Sequence, residues 1–423
     1  MSLIPAHFFK GSIFSAAAAV AVGVFGYLTR RVLANSLAEN DCAFFYSLFA
    51  LFTLITIFVQ CGTADTVLYE LPVFLETKRK RCGTAIYKFI EKFQSFNALI
   101  CTGGIILLFP LLKKYYFNYP VTFFNFFIFS LILWGMALEN TTQFALNSQK
   151  RFGVMSIMRV VKAGLFFTGC CFFATIDMFP GIITSCVIVT TACSLYGVWL
   201  IKKTMPRKGN LLPKKLKRNV VKSGVVFMVL ASGNIVIQDL GTCTLSLFSS
   251  SREVVLFNIA LPLSMIVQSM LVVLNVFTPM VTNLCINNDK KALKKLFNTI
   301  FIFTAAMLIL TIPVFYYGGE IIIKIMFSEK FIAAKWSAFF LIEAALLAIP
   351  VRSLMTLFNA ANQKKTSLKT MVPMTLATLI LFPLLSHSYG ATGTGIAALA
   401  ATGIWLAAYL HCYINFMKQP QIY

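Results

Sequence analysis

Stretches of about twenty apolar residues recur along this chain, and they decide what it can fold into, because a helix of that length crosses a ~30 Å hydrocarbon core. One set covers residues 11–31, 43–63, 93–112, 121–145, 152–176 and 182–201; a second covers 220–247, 254–279, 296–316, 336–358, 371–388 and 393–416. Of the 423 residues, 58% are hydrophobic and 12% charged, against about 25% charged in an ordinary soluble domain. A soluble fold could not hide so much apolar surface behind so few charges. In lipid every backbone amide must be satisfied within its own segment or a closed barrel, and runs of this length select helices. The expectation is an all-α membrane protein of about twelve transmembrane helices.

The net charge of +23 would suit nucleic acid if it lay on a soluble domain. Here it sits in short segments between apolar runs and reads as topology instead. With the N-terminus inside, twenty-eight of the 37 Lys and Arg fall on the cytoplasmic loops and adjoining span ends, eight at the outer ends, and Arg352 within a span. Lys88, Lys92, Arg159, Lys162 and the run from Lys202 to Lys222 belong to the inner group. That bias predicts a multi-pass inner-membrane protein with both termini cytoplasmic. The alanine-rich run at 16–21 continues into Leu28 and ends at Arg30-Arg31, so a first spanning helix is a better reading than a signal peptide.

The longest polar stretch, 202–218, holds Pro206, Gly209 and Pro213 and divides the runs six and six. The expected domains are a six-helix bundle over 1–205, a basic cytoplasmic linker over 206–219 and a second six-helix bundle over 220–423. Short motifs echo between the halves. Lys10-Gly11-Ser12 answers Lys222-Ser223-Gly224, and Asn147-Ser148-Gln149-Lys150-Arg151 answers Ala361-Asn362-Gln363-Lys364-Lys365. An even helix count per half makes these parallel repeats, as in transporters whose substrate path runs between the halves.

Ionisable groups at membrane depth are costly and are functional candidates by default. Asp239 stands in a polar stretch, Ser232-Gly233-Asn234 to Gly241-Thr242, that cannot all face lipid. It could carry a proton or help hold Na+, or be satisfied by a neighbouring helix. Glu139 and Arg352 are nearly equivalent under the repeat. They form either a pair between the halves or two local contacts, and the local reading is preferred. Glu343 shares the tenth span with Arg352, and Asp65 ends the second. Arg30 and Arg252, at outer span ends, either present a guanidinium fork to phosphate or snorkel to headgroups; for Arg31 snorkelling is the better reading. No enzyme signature is present: His7, His387 and His411 are isolated, the eleven Cys form no CxxC pair, and no outer run is long enough for a catalytic domain. Residues 390–395 are glycine-rich but lie at an outer turn rather than after a strand, which argues against a phosphate loop.

Several segments together resemble the polysaccharide flippases of the multidrug/oligosaccharidyl-lipid/polysaccharide superfamily, the Wzx-type O-antigen translocases in particular. They are Gly11-Ser12 opening the first span and Leu28-Thr29-Arg30-Arg31-Val32-Leu33-Ala34 closing it, Gly62-Thr63-Ala64, Asn147-Ser148-Gln149-Lys150-Arg151-Phe152-Gly153, and Tyr389-Gly390-Ala391-Thr392-Gly393-Thr394-Gly395-Ile396-Ala397. The resemblance implies a flippase moving an undecaprenyl-pyrophosphate-linked oligosaccharide, an O-antigen or capsule unit, to the outer leaflet. It implies two pseudo-symmetric six-helix bundles of the MATE type, lined by spans one, two, seven and eight. Arg30, Arg252 and Asp65 would then contact substrate and Asp239 would couple an ion, with Glu139, Arg352 and Glu343 secondary. It implies no cofactor, H+ or Na+ as coupling ion, and membrane lipid, a polysaccharide polymerase and chain-length machinery as partners. The two additional helices of the lipid II branch are not found, which argues against peptidoglycan precursor export. A cation-coupled drug exporter of the same fold and, further off, a membrane polymerase are the alternatives.

Overall fold

The computed structural model describes residues 6–64, 66, 67, 71, 80–117, 119–176, 178–205, 213–269, 281, 284, 285, 287–361 and 363–418. Its elements are helices: α1 Ala6–Ser36, α2 Glu39–Gln60, α3 Lys80–Leu107, α4 Phe109–Tyr115, α5 Phe123–Ser130, α6 Ile132–Ser148, α7 Phe152–Thr175 and α8 Phe179–Thr204. There follow α9 Lys214–Phe248, α10 Ser251–Ser269, α11 Lys290–Met326, a 3-10 turn Glu329–Ala334, α12 Lys335–Ala360 and α13 Lys364–Lys418. Among the described residues eight helices are long and apolar enough to cross a membrane, or nine if a bent pair counts as one span. That pair is α3 with α4, which meet at 57°. Pro110 lies in the first turn of α4, where its missing N–H does no harm but its ring ends the preceding run. The short α5 and α6 break only at Leu131 and serve as one span, Phe123–Ser148.

α13 is 55 residues long, and at ~1.5 Å per residue it would measure about 80 Å, far more than one crossing needs. It breaks at Gly390 (φ +55°, ψ −136°), giving two spans. The glycine is required there. Its backbone lies in the left-handed region, and a Cβ would strike the Glu253 carboxylate. Glu253, from α10, accepts a 2.6 Å hydrogen bond from the Ala391 amide, so a carboxylate caps the positive end of the last span.

The described chain forms two compact units, Met1–Ile235 and Val236–Tyr423. In the first, α1 packs on α7, α6 on α8, and α3 on α6. Its interior is rich in phenylalanine. Phe52 and Phe129 have ring centroids 5.5 Å apart, and Phe109 and Phe126 4.8 Å. The buried hydroxyl of Tyr119 donates to Ser47 Oγ at 2.5 Å, so the polar end of that ring is satisfied inside an apolar layer. Gly62 (φ +62°) ends the second span against the start of α9, where a Cβ would overlap the Gly224 carbonyl and the Met228 amide. In the second unit α12 packs on α13, α10 and α11. There Gly241 of α9 meets the Phe257 ring and the Thr394 methyl so closely that a Cβ would not fit.

The turns after the fourth and tenth spans carry the same bonds, offset by 212 residues. Gln149 N donates to Ala145 O and Arg151 N to Leu146 O. In the second turn Ala361 N donates to Leu357 O and Gln363 N to Phe358 O. In each turn the longer bond, from Arg151 N or Gln363 N, closes on a carbonyl five residues back and satisfies an orphan acceptor at the helix C-terminus; the turns fall at the echoing motifs, but the bonds align Gln149 with Ala361 rather than with Gln363. Elsewhere the structure differs from expectation. Residues 317–326 continue α11 rather than opening an outer loop, because Ile321, Ile322, Ile323 and Ile325 extend the apolar pattern and the nearest proline, Pro313, lies further back in the helix.

Candidate transport site

α6 and α7 form a hairpin closed at Gln149–Arg151. In an antiparallel helix pair, residues equidistant from the turn face each other. Glu139 and Gln143, one turn apart on α6, therefore oppose Lys162 and Arg159 on α7. Lys162 Nζ donates to Glu139 Oε2 at 2.5 Å, and Arg159 Nε donates to Gln143 Oε1 at 2.7 Å. A third bond, Gln143 Nε2 to Glu139 Oε1 at 3.0 Å, joins the two rungs. The side chains of Lys162 and Glu139 are 28% and 17% exposed. This four-residue ladder lies within spanning helices and carries two cations for one anion.

Beside it runs a buried neutral network. Gln94 of α3 has no exposed surface; it donates to Thr63 Oγ1 at 2.9 Å and accepts from the Thr141 hydroxyl of α6. Trp134 Nε1 donates to Ser95 Oγ at 3.1 Å, and Ser194 of α8 donates to the Gly135 carbonyl at 2.7 Å. These bonds let polar groups sit at membrane depth without unsatisfied donors and fix α6 between α3 and α8, so the ladder is held on a rigid support.

The remaining expected residues are placed as follows. Arg30 is half-buried on α1, in the neighbourhood of the buried Tyr46 of α2. Arg31 is exposed and reaches the Tyr27 hydroxyl at 3.5 Å. In the second unit Asp239 is half-buried on α9 and Arg252 exposed on α10. Thr242, three residues beyond Asp239, is buried and accepts from Asn258 Nδ2 at 3.1 Å, so this end of the polar stretch packs against α10. The side chains of 232–238 and all of Asp65 lie outside the described residues. Glu343 of α12 is buried and accepts from the Thr311 hydroxyl of α11. Arg352 follows it by nine residues, about half a turn out of phase on a helix, so the two present opposite faces. Glu139 thus pairs inside its own unit.

Sequence position alone groups Lys162 and Arg159 with the cytoplasmic charges. Lys162 is the eleventh residue of α7, roughly 15 Å along it. The signal that reveals their partners is the mirror spacing about the turn at 149–151, which sets each of the two bases opposite one polar residue of α6.

No family model matches the chain. An uncharacterised membrane protein of Methanocaldococcus jannaschii is 22% identical over 326 residues, which are 73% of this chain and 64% of that protein; the chain thus spans just under two thirds of this relative's length. Among solved structures, the lipid II flippase MurJ in an inward closed conformation matches with a TM-score of 0.72 at 13% identity, over 95% of this chain and 87% of that one. An inward-facing MATE multidrug resistance transporter of the MOP superfamily matches at 0.71 and 12% identity, over 97% and 99%. The MATE multidrug transporter DinF-BH matches at 0.67 and 15% identity, over 100% and 97%. The chain is a multi-pass membrane protein with the fold shared by the MATE transporters and MurJ.

Proposed function

We propose that this protein is a flippase that carries an undecaprenyl-pyrophosphate-linked oligosaccharide, an O-antigen or capsule repeat unit, across the bacterial inner membrane by alternating access. The observation that carries the reading is the cationic balance inside the first unit on a fold like that of MurJ. Arg30, Arg159 and Lys162 lie in its spanning helices, and the ladder supplies one carboxylate, Glu139, against its two bases. A pyrophosphate headgroup needs such an excess, whereas a cationic drug would be repelled by it.

Within this reading Arg30 and Arg252 contact the pyrophosphate, and Asp65 contributes to the same path. Asp239 couples transport to H+ or Na+, and Glu139, Arg352 and Glu343 play secondary parts. The functional halves are 1–205 and 220–423, joined by 206–219, with both termini cytoplasmic. A polymerase and chain-length machinery receive the product, and the protein performs no covalent chemistry.

The test is complementation. Arg30→Ala and Arg252→Ala are expressed at matched levels in a deletion strain, and surface polysaccharide is measured. Each lowers output about tenfold if it loses one charge-assisted phosphate contact. Unchanged output in both removes the phosphate assignment. The second reading, a cation-coupled drug exporter, is favoured by the equal likeness to a MATE transporter. It predicts drug hypersensitivity of the deletion strain with normal polysaccharide.

A further inference from the structure

A cavity of about 410 Å³ opens in the first unit between one end of α3 and the last turn of α8. Its lining includes Tyr87 and Lys88 of α3 and Trp199, Lys202 and Lys203 of α8. The proposed transport path uses none of these residues. Lys202 Nζ lies 2.8 Å from Glu91 Oε1, and Glu91, one turn beyond Lys88 on α3, is mostly covered, at 18% exposure. Three lysines therefore line the cavity, and one of them, Lys202, is paired with a carboxylate. Lys203 Nζ stands 5.2 Å from the centre of the Trp199 ring, which stacks on Tyr196 at 5.6 Å and 24°. Trp199 is 52% and Tyr196 54% exposed.

Position and chemistry agree. The basic last turn of α8 ends a spanning helix at the membrane edge, where Trp and Tyr settle at headgroup level. Lysines there attract anionic lipid. The volume lies within the range of small-molecule sites, and the exposed Trp–Tyr pair offers an apolar wall to the upper part of an acyl chain. A neutral zwitterionic headgroup would bring its own cation against the lysines.

We propose that this cavity is a binding site for the phosphodiester headgroup of an anionic membrane phospholipid, held by Lys88 and Lys203 with Trp199 against its acyl chains. Lys202 is kept in place by Glu91. The site is independent of the transported substrate, and Lys88 and Lys203 have this ligand besides any part in setting topology.

Native mass spectrometry of the full chain in detergent, titrated with phosphatidylglycerol or phosphatidylcholine, tests it. Retention of phosphatidylglycerol well above phosphatidylcholine is expected. Lys88→Gln with Lys203→Gln weakens it by roughly 25-fold, about fivefold for each lysine. Should that variant not fold, the wild type suffices. Brominated phosphatidylglycerol in vesicles quenches the fluorescence lost in Trp199→Phe more than brominated phosphatidylcholine does. Equal retention or equal quenching by the two lipids overturns the proposal, as does unchanged retention in a folded double lysine variant. Inorganic phosphate, added alone, binding in a lysine-dependent manner as tightly as the lipid would assign the site to a soluble anion and overturn the lipid assignment.

Discussion

Removing the Glu139 carboxylate gives the sharpest test of the ladder between α6 and α7. Glu139→Gln keeps the volume and an oxygen for Gln143, but leaves Lys162 facing an amide instead of a carboxylate at 2.5 Å. An exposed ion pair contributes roughly 0.2–1 kcal/mol, while removing one partner of a buried pair costs about 3–5 kcal/mol. Exposures of 17% and 28% place this pair between those limits, at about 2 kcal/mol for either single change. Lys162→Met should cost a similar amount, because Glu139 then keeps only Gln143. In the double variant no charge is stranded, so the loss should be about 1 kcal/mol and the coupling energy roughly 3 kcal/mol. Equilibrium unfolding in mixed micelles, with a fixed lipid composition, measures all four corners of the cycle. Single effects that add within ~0.5 kcal/mol would show that the two charges do not interact, and the hairpin register that sets Glu139 opposite Lys162 would be wrong.

Other consequences are as direct. Gly62→Ala forces a Cβ into the backbone of α9 and a left-handed φ on alanine, so a loss of at least ~2 kcal/mol is expected in the same unfolding assay. At Gly390, alanine would meet the Glu253 carboxylate; combining it with Glu253→Ala removes the clash but not the backbone strain, so a partial rescue of stability is expected. Gln94→Leu removes the partner that joins Thr63 to Thr141, but each hydroxyl keeps a backbone carbonyl, of Gln60 and Ala137, so a loss of about 0.5–1.5 kcal/mol is expected, with hydrogen exchange rising first along α6.

Much of the fold is legible in hydrophobic run length alone. The ends of α2, α7 and α8 fall within a few residues of the apolar runs 43–63, 152–176 and 182–201, because those runs are flanked by charge or proline at both ends. Where flanking is weak, the boundary drifts: α11 extends past Tyr316 through isoleucines that a loop would have to expose. The break at Gly390 is visible as a glycine-rich turn, yet its partner Glu253 belongs to a distant helix and no local pattern connects them. The site is less legible for the same reason. Counting Lys162 by its distance from a loop treats charge as a property of sequence position, whereas its carboxylate partner is supplied by the neighbouring helix. Arg30 stands out in the sequence as a candidate, but its proximity to Tyr46 depends on how α1 meets α2.

The proposed movement of a pyrophosphate-linked lipid can be followed directly. Purified protein in liposomes containing a fluorescently labelled undecaprenyl-pyrophosphate oligosaccharide, with a membrane-impermeant reductant added outside, measures that movement leaflet by leaflet. A flippase of this lipid gives protein-dependent loss of the inner-leaflet fluorescence, slowed about tenfold in Arg30→Ala and in Arg252→Ala, each losing one charge-assisted contact. No movement of that lipid, with uptake of a cationic dye by the same liposomes, would contradict the proposal and identify a drug exporter instead.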